Sequence, residues 1–472
     1  MTENVTVVIL AAGLGTRMRS NKAKVLHEAG GDTLLNNVIR AASRIAPPER
    51  IIAVVGHQAA QVRASVKASG VRFAEQPEQK GTGHAVLCAR QAATAEKGRL
   101  IVLNGDGPLL RPETLEALLA QSYKAPGGSI VTTELADPTG YGRIVRDDRG
   151  MVAAVVEQKS GTPEQLSIRE VNPGLYCFDA AHFWAHAGEI RPDNPAKEYY
   201  LTDMVEILTR HGYPVIPSVV HDETELLGIN TRAELAVADR ILRLRKTKEL
   251  MLSGVTIEFP ESILIDTDVE VGIDSYIEPN VQLRGKTRIG ANCRIGAGSV
   301  LRDCEIADEV TILPYVVAEN SKMQSGAHVG PFSRLRMRAE AGPESHIGNF
   351  VELKNTNLGS GSKAGHLAYL GDAAIGSKVN IGAGTITCNY DGEKKHRTQL
   401  GDGAFIGSNA TLVAPLQIAE GAYVAAGSTI TKNVEPDALA LGRAHQVEKS
   451  GWAKRRRELR MSSDNSKSSK QP

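Results

Sequence analysis

The chain has 472 residues, 55 basic against 54 acidic side chains and a formal net charge of +1, so no global field draws it to nucleic acid, and its length exceeds what one hydrophobic core can organise. The cysteines Cys88, Cys177, Cys293, Cys304 and Cys388 are scattered, odd in number and without a CxxC pair, which argues for reduced thiols in a cytosol rather than for disulfides or a zinc site. No segment approaches a membrane span, and the apolar run 5–10 is too short and too close to a glycine loop for a signal peptide, so a cytoplasmic protein of two or three domains is expected.

Residues 4–10 read as a fully buried strand of the kind found in parallel sheets. The loop 11–18 follows at once, with Gly13 and Gly15 letting backbone approach a phosphate, exposed N–H groups to cradle it, Arg17 as a fixed positive fork and Lys24 as a second cation. Residues 51–55 and 100–103 read as further buried strands with amphipathic helices around them, a doubly wound α/β pattern whose ligands sit beyond the carboxyl ends of strands. The stretch Asn104-Gly105-Asp106 ends one of these strands, and a carboxylate at that edge suits a Mg²⁺ ion among nucleotide phosphates, the alternative being a turn residue or helix cap. Gln76, followed by Gly81 and Thr82, offers an amide for a base edge and a tight turn into a helix that Thr82 could simply cap. Gly140-Tyr141-Gly142-Arg143, Glu157 and Asn172 lie at loops beside short strands and could hold sugar hydroxyls or satisfy turns. Asn230 precedes a capping box at Thr231 and Glu234, which starts a helix running to about residue 252 with Leu235, Ala238 and Leu242 on one stripe.

A six-residue period organises the rest. Ile265, Val271, Ile277, Leu283, Ile289, Ile295 and Leu301 stand six apart, as do Leu400, Ile406, Leu412, Ile418, Val424 and Ile430. Neither a helix of 3.6 residues per turn nor an alternating strand has that period. With frequent Gly it marks a parallel β-helix, one aliphatic residue pointing inward from each flat face and Gly helping the corners; a Gly-rich β-sandwich would need the spacing by coincidence. The period reads as less regular over 320–352, where Arg334, Arg336, Arg338 and then Lys354 collect, and it breaks at 388–397, which must leave the prism as a loop. His366, Tyr369 and Asn380 stand between these breaks; a lone His such as His366 serves structure as readily as catalysis. After about residue 443 the regularity ends, and Trp452 and the basic run 454–457 lead into a tail expected to be disordered.

The LAAGLGTRM loop with Lys24 resembles sugar-1-phosphate nucleotidyltransferases, and the stretch GHLAYLGDAAIGSKVNIGAGTITCNYDG resembles the left-handed β-helix half of a bacterial family of bifunctional N-acetylglucosamine-1-phosphate uridyltransferases/glucosamine-1-phosphate N-acetyltransferases. The likeness covers about residues 4–452. It implies an α/β nucleotidyltransferase domain (1–230), a linker helix (231–252), a left-handed parallel β-helix of hexapeptide repeats (253–452) and a basic tail (453–472). It further implies a homotrimer making UDP-N-acetylglucosamine, with Mg²⁺ and with UTP and acetyl-CoA as cosubstrates, for peptidoglycan and lipopolysaccharide. By matching motif, Leu10, Ala11, Ala12, Gly13, Lys24, Gln76, Gly81, Thr82, Asn104, Gly105 and Asp106 would bind the nucleotide; Arg17 and Lys24 would stabilise the reacting phosphates; Asp106 and Asn230 would hold Mg²⁺; Gly142, Glu157, Asn172 and Asn230 would hold the sugar. In the other half Arg334, Lys354, Tyr369 and Asn380 would bind the sugar phosphate, His366 would be the general base, and Ala383, Asn389, Tyr390, Ser408, Ala426 and Arg443 would line the acetyl-CoA site. Three departures from the family pattern concern the first half: Ala23 where Pro is usual, Asp32-Thr33 where Lys-Pro is usual, and Asn104 where an apolar or aromatic residue is common. Two competing readings stay open, a single-function nucleotidyltransferase with a regulatory β-helix, and a scaffold subunit with a dead site.

Overall fold

The computed structural model describes residues 5–93 and 97–468, the last six of them as backbone only. Asn4 and the tail residues 469–472, both included in the sequence expectations, lie outside the described residues. The chain divides into two compact units, residues 1–288 and 289–472.

The first unit is built on one mixed sheet. Its strands are β1 (Val5–Ala11), β2 (Ile51–Val55), β3 (Arg72–Glu75), β4 (Arg99–Asn104), β5 (Gly128–Glu134), β6 (Gly142–Arg146), β7 (Val152–Val156), β8 (Glu170–Asn172), β9 (Tyr176–Asp179) and β10 (Val215–Val219), in the order β8-β6-β7-β10-β5-β9-β4-β1-β2-β3. β1 pairs in parallel with both β2 and β4, so the carboxyl ends of the three strands meet at one edge. Successive side chains of β1 enter opposite cores, as the alternation of a strand requires. Val7 and Ile9 join Leu35, Val38, Ile39, Leu115 and Leu118 on one side, and Val8 joins Val86, Phe183, Met204 and Leu208 on the other.

The helix α1 (Arg232–Leu252) begins at the expected capping box, Thr231 accepting from the Glu234 N–H. It is more than a connector. Ala238 and Leu242 are buried with Ala29, Leu34 and Leu109, and Arg243 pairs with Asp239 and with Asp266, a residue of the first hexads. The hexad run therefore starts inside the first unit, where Thr256↔Tyr276 and Leu264↔Gln282 already pair in parallel.

The second unit is the left-handed parallel β-helix. On one face Ile295, Ile312, Val329, Ile347, Ala364, Ile381, Ile406 and Val424 succeed one another in register, each one coil beyond the last. The stretch 320–352, read as less regular, keeps the period: Met323, Val329, Leu335, Ala341, Ile347 and Leu353 are all buried and inward. Met and Ala at inward positions disguise it. Gly turns some of the corners as expected, among them Gly298, Gly384 and Gly427 at positive φ. Many left-handed corners are held by other residues, among them Tyr315, Phe332, Phe350, Leu367 and Asn409. Several glycines instead permit close approach of successive coils: a Cβ on Gly348 would lie 1.8 Å from the Gly365 carbonyl oxygen. The tail departs from expectation as well, since Trp452–Ser468 is helical. Lys, Arg, Glu, Leu and Met have high intrinsic helix propensity, which the reading of that run as disordered set aside.

Candidate functional site

In the first unit a cavity of about 670 Å³ opens at the carboxyl ends of β1 and β4 and is lined by Leu10, Ala11, Ala12, Gly13, Arg17, Lys24, Gln76, Gly81, Thr82, Asn104, Asp106 and Asn230. Gly15 has φ +63°, and a Cβ there would stand 2.6 Å from Lys24 Cβ, so this glycine lets the loop fold over the lysine. Lys24 Nζ contacts Asp106 Oδ2 and lies 3.0 Å from Asn230 Oδ1. Arg17 donates to the same Asn230 oxygen at 2.7 Å. Asn230 is fixed from behind, its N–H donating to Glu234 Oε2 at 2.6 Å, and the Ile229 N–H donates to the Asp106 carbonyl at 2.9 Å. Asp106 and Asn230 thus present two oxygens to one cationic centre, a donor set that fits a hard ion such as Mg²⁺.

Gly105 is not a lining residue; its N–H donates to Leu10 O at 2.9 Å and ties the two loops together. Gln76 is buried, with Nε2 donating to Gly81 O at 3.0 Å and lying 3.2 Å from His84 Nδ1. Only its amide oxygen remains for a base edge. Thr82 does not cap its helix: Gly81 holds the cap position and Thr82 Oγ1 accepts from the Leu201 N–H at 3.1 Å. The departures have structural partners. The Ala23 N–H donates to Gln58 Oε1 at 2.8 Å, a bond that Pro could not make. Asp32 is buried against Arg40 and Lys67, Thr33 caps the following helix by accepting from the Asn36 N–H, and Asn104 Nδ2 donates to Pro173 O at 3.1 Å.

Gly142, Glu157 and Asn172 meet across neighbouring strands: Asn172 stands opposite Gly142, and Glu157 follows β7, whose Val156 stands opposite Arg143. None of the three is in the lining of the large cavity, though their chain neighbours Tyr141 and Pro173 are. Burial raises the pKa of Glu157, whose Oε1 accepts from Thr202 Oγ1 at 3.2 Å. Burial, then the charges of Glu206 and Glu157, push nearby Asp203 up to about 6. Tyr141 lines the cavity with Asp106 and Asn230, and its pKa is raised by burial first and then by Glu234 and Asp106. Sequence reading had Tyr141 within a loop of candidate sugar contacts but missed Gln79, whose Nε2 donates to Ala12 O at 2.7 Å and braces the glycine loop. A second amide three residues after Gln76 was the available signal.

In the second unit His366 ends the strand Lys363–His366 and stands in register with Asn349. Its Nδ1 lies 2.6 Å from Asn349 Oδ1. An amide oxygen only accepts, so Nδ1 is the donor in this pair, the tautomer that in the neutral ring leaves Nε2 as the acceptor. Asn349 carried no motif that could have singled it out. Asn380 projects from the same face, opposite Lys363. Past the corner at Leu367 (φ +49°), Tyr369 stands on the next face in the column of Arg334 and Glu352.

Lys354 occupies the neighbouring column, beside Arg336 and Gly371. It lies 3.4 Å from Asp372 Oδ2, which Asn389 Nδ2 also contacts. Burial would raise Asp372, but hydrogen bonds from Asn355 and Asn389 and the Lys354 charge prevail and hold it below the usual carboxylate range. Lys395, in hydrogen-bond contact with Lys354 and repelled by its charge, is pushed down. Arg338, Asn355, Asp372, Lys395, His396 and Arg397 line a cavity of about 370 Å³ on this face, a lining with four basic side chains and one carboxylate. Arg334 is not among its lining residues, and Arg338 is.

The loop 389–397 leaves the prism between Ile381 and Ile406 and closes on itself, with Tyr390 bridged to Lys395 and the His396 N–H donating to Asn389 O at 2.8 Å. Asn389 is buried at its base, while Tyr390 is 61% exposed. Ala383, Ser408 and Ala426 each precede a left-handed corner, at Gly384, Asn409 and Gly427, as His366 precedes Leu367. The bonds Asn409 N–H to Ala383 O and Gly427 N–H to Ser408 O, 2.7 and 2.8 Å, place the three in one row along an edge. Arg443 reaches the end of that row, its Cδ 3.8 Å from where a Gly427 Cβ would stand.

The site geometry can be set beside known proteins. The family of MobA-like NTP transferase domains matches residues 7–164. Bacterial transferase hexapeptide repeats match 268–303, and the hexapeptide repeat of succinyl-transferases matches 397–432. The chain is 59% identical to the bifunctional protein GlmU of Solibacter usitatus (strain Ellin6076) over 97% of this chain and 99% of that protein. It is 49% identical to GlmU of Koribacter versatilis (strain Ellin345), with 97% and 98% covered, and 47% identical to GlmU of Cyanothece sp. (strain PCC 7425 / ATCC 29141), with 95% and 98% covered. With both sites and both repeat types present along nearly the whole length of such relatives, the chain belongs to the GlmU family of bifunctional proteins.

Proposed function

We propose that the protein makes UDP-N-acetylglucosamine in two steps, acetyl-CoA-dependent N-acetylation of glucosamine-1-phosphate followed by uridylyl transfer from UTP with release of pyrophosphate. The observation that carries this reading is the convergence of Lys24, Arg17, Asp106 and Asn230 at the mouth of a glycine loop, in a chain that also orients a histidine base on a prism.

In the uridylyl step the sugar phosphate attacks the α-phosphorus of UTP and pyrophosphate leaves. Backbone N–H groups of Leu10 to Gly13 cradle phosphate oxygens, with Gly105 holding that loop to β4. Lys24 and Arg17 offset the negative charge that builds on the transferring group. Gln76, Gly81, Thr82 and Asn104 surround the nucleoside. Gly142, Glu157, Asn172 and Asn230 hold the sugar. Mg²⁺, held by Asp106 and Asn230, supplies charge neutralisation of the phosphates when bound.

In the acetyl step Nε2 of His366 takes a proton from the amine of glucosamine-1-phosphate as nitrogen attacks the thioester carbonyl; the carbon–sulfur bond then breaks and CoA leaves as the thiol, taking the proton back from the imidazolium. Asn349 holds the tautomer that leaves Nε2 basic. Lys354 and the neighbouring Lys395 and Arg338 receive the sugar phosphate, with Arg334, Tyr369 and Asn380 at its rim. The row Ala383, Ser408, Ala426 is smooth because its side chains are small, so an extended acetyl-CoA arm lies along it, with Asn389, Tyr390 and Arg443 at its sides.

A single prism face offers no deep groove, and the stacked exposed aromatics Tyr315, Phe332 and Phe350, with ring centroids 5.2 and 5.4 Å apart, form an apolar strip that suits self-association. A homotrimer is the closed assembly that fits a three-faced prism. A cytoplasmic location fits cysteines that form no disulfide among the described residues. Among the described residues no helix is long and apolar enough to cross a membrane. The test is a single assay. UTP and glucosamine-1-phosphate should give UDP-N-acetylglucosamine only when acetyl-CoA is added, and N-acetylglucosamine-1-phosphate should remove that requirement. Absence of product with either sugar phosphate would overturn the reading.

A further inference from the structure

On the helical layer of the first unit, outside the lining of the nucleotide cavity, three side chains converge with no part in either reaction. His186 ends the helix Ala180–His186, Glu189 lies in the turn after it, and His211 caps the carboxyl end of the helix Asp203–Arg210. The two imidazoles stack with centroids 3.8 Å apart and planes 25° from parallel. The Glu189 carboxylate bridges them, 2.7 Å from His186 Nδ1 and 3.0 Å from His211 Nε2. One ligand atom from each residue lies within 4.8 Å of the others.

We propose that His186, Glu189 and His211 form a binding site for a divalent transition-metal ion of the Zn²⁺ class. Two imidazole nitrogens and one carboxylate oxygen are the donors such ions prefer, whereas Mg²⁺ selects oxygen alone. Metal–ligand bonds of about 2.0–2.1 Å in tetrahedral geometry set ligand atoms roughly 3.3 Å apart. The bridging contacts are shorter than that by a few tenths of an ångström and the rings are stacked, so one imidazole must swing out of the stack to aim its in-plane lone pair at the ion, which side chains that are 18%, 41% and 40% exposed have room to do. A fourth position faces solvent and takes water. The bound ion clips the end of one helix to the end of another. The second of these begins directly after Thr202, the residue that donates to Glu157.

The test uses full-length protein without a histidine tag, stripped with chelator and titrated calorimetrically with ZnCl₂ alone. One Zn²⁺ per chain is expected to bind with a dissociation constant of roughly micromolar or tighter and to raise the melting temperature, with millimolar Mg²⁺ failing to compete. His211→Gln and, separately, His186→Gln should each weaken binding at least about tenfold while uridylyl transfer without Zn²⁺ stays at the wild-type level. His328 and His346, with ring centroids 6.4 Å apart, are the alternative locus, and His346→Gln should leave the tight site intact. Binding weaker than about 1 mM, tight binding that survives both His186 and His211 variants, or loss of the tight site in His346→Gln would each overturn the proposal. If the variants fold poorly, an anomalous difference map of wild-type crystals grown with Zn²⁺ decides it by the presence or absence of a peak between these three side chains.

Discussion

His366 and Asn349 form a pair in which one side chain does chemistry and the other sets its tautomer. His366→Ala should lower acetyl transfer roughly 10²–10⁴-fold and leave uridylyl transfer unchanged. Asn349→Ala keeps the base but frees its ring. It should lower kcat by about tenfold and move the acid limb of the pH–rate profile, a change that a purely structural lesion would not produce. A profile identical to wild type would remove Asn349 from the mechanism. Asp203 gives a second prediction at this scale. Its carboxyl is raised to about 6, above the ordinary carboxylate range, by burial and by Glu206 and Glu157. The folded state therefore favours the protonated form. The stability this gives is fully present below the unfolded value and is lost as pH rises through about 6. Asp203→Asn should melt higher than wild type at pH 8, with the difference shrinking as pH falls from about 6 toward 4. A difference independent of pH, read by thermal unfolding across that range, would show that the carboxylate ionises without cost.

At the scale of elements, α1 joins the first hexads through a buried ion pair. Arg243 and Asp266 are 9% and 6% exposed at their side chains, with Nη1 to Oδ1 at 2.6 Å. Asp266→Ala leaves a buried guanidinium with only Asp239, a loss of about 3 kcal/mol, so the first unfolding transition should fall by several degrees in calorimetry while uridylyl transfer at 25 °C persists. An unchanged transition would mean that the first hexads do not support α1. This packing was invisible in the sequence, where the onset of the hexads is plain but the body on which its first coils rest is not. The same limit recurs elsewhere. The period of inward aliphatics announced the β-helix because one buried residue per face is a strong and regular signal. It faded over 320–352 only because Met323 and Ala341 fill inward positions that Ile and Leu fill elsewhere. The glycine loop, Lys24 and Asp106 were legible because phosphate chemistry demands those residue types close to a strand end. Asn349 and Gln79 were not, since each acts by register or by bracing another residue, and register belongs to the fold; Arg338 was legible only as one of a basic cluster. The tail helix was missed because a composition that suits disorder also has high helix propensity.

For the whole molecule, the open question is whether one acetyltransferase site uses one chain or two. His366 lies on the face that ends at the Leu367 corner, whereas Asn389 anchors the extruded loop to Asp372 on the next face. We infer that, in a closed three-fold assembly, the loop of one subunit completes the pocket over the His366 face of its neighbour, because a flat face supplies no second wall of its own. Asn389→Ala releases the base of the loop without touching His366. Chains carrying His366→Ala and chains carrying Asn389→Ala should each be nearly inactive in acetyl transfer when assembled alone. Co-refolded in equal amounts, they should recover activity at roughly a quarter of the sites, those pairing an intact His366 face with an intact loop, for random closed assembly. If both residues served a site from one chain, every site would carry a lesion and mixing would restore nothing. Mixed trimers verified by native mass spectrometry that remain inactive would therefore assign both residues to the same subunit.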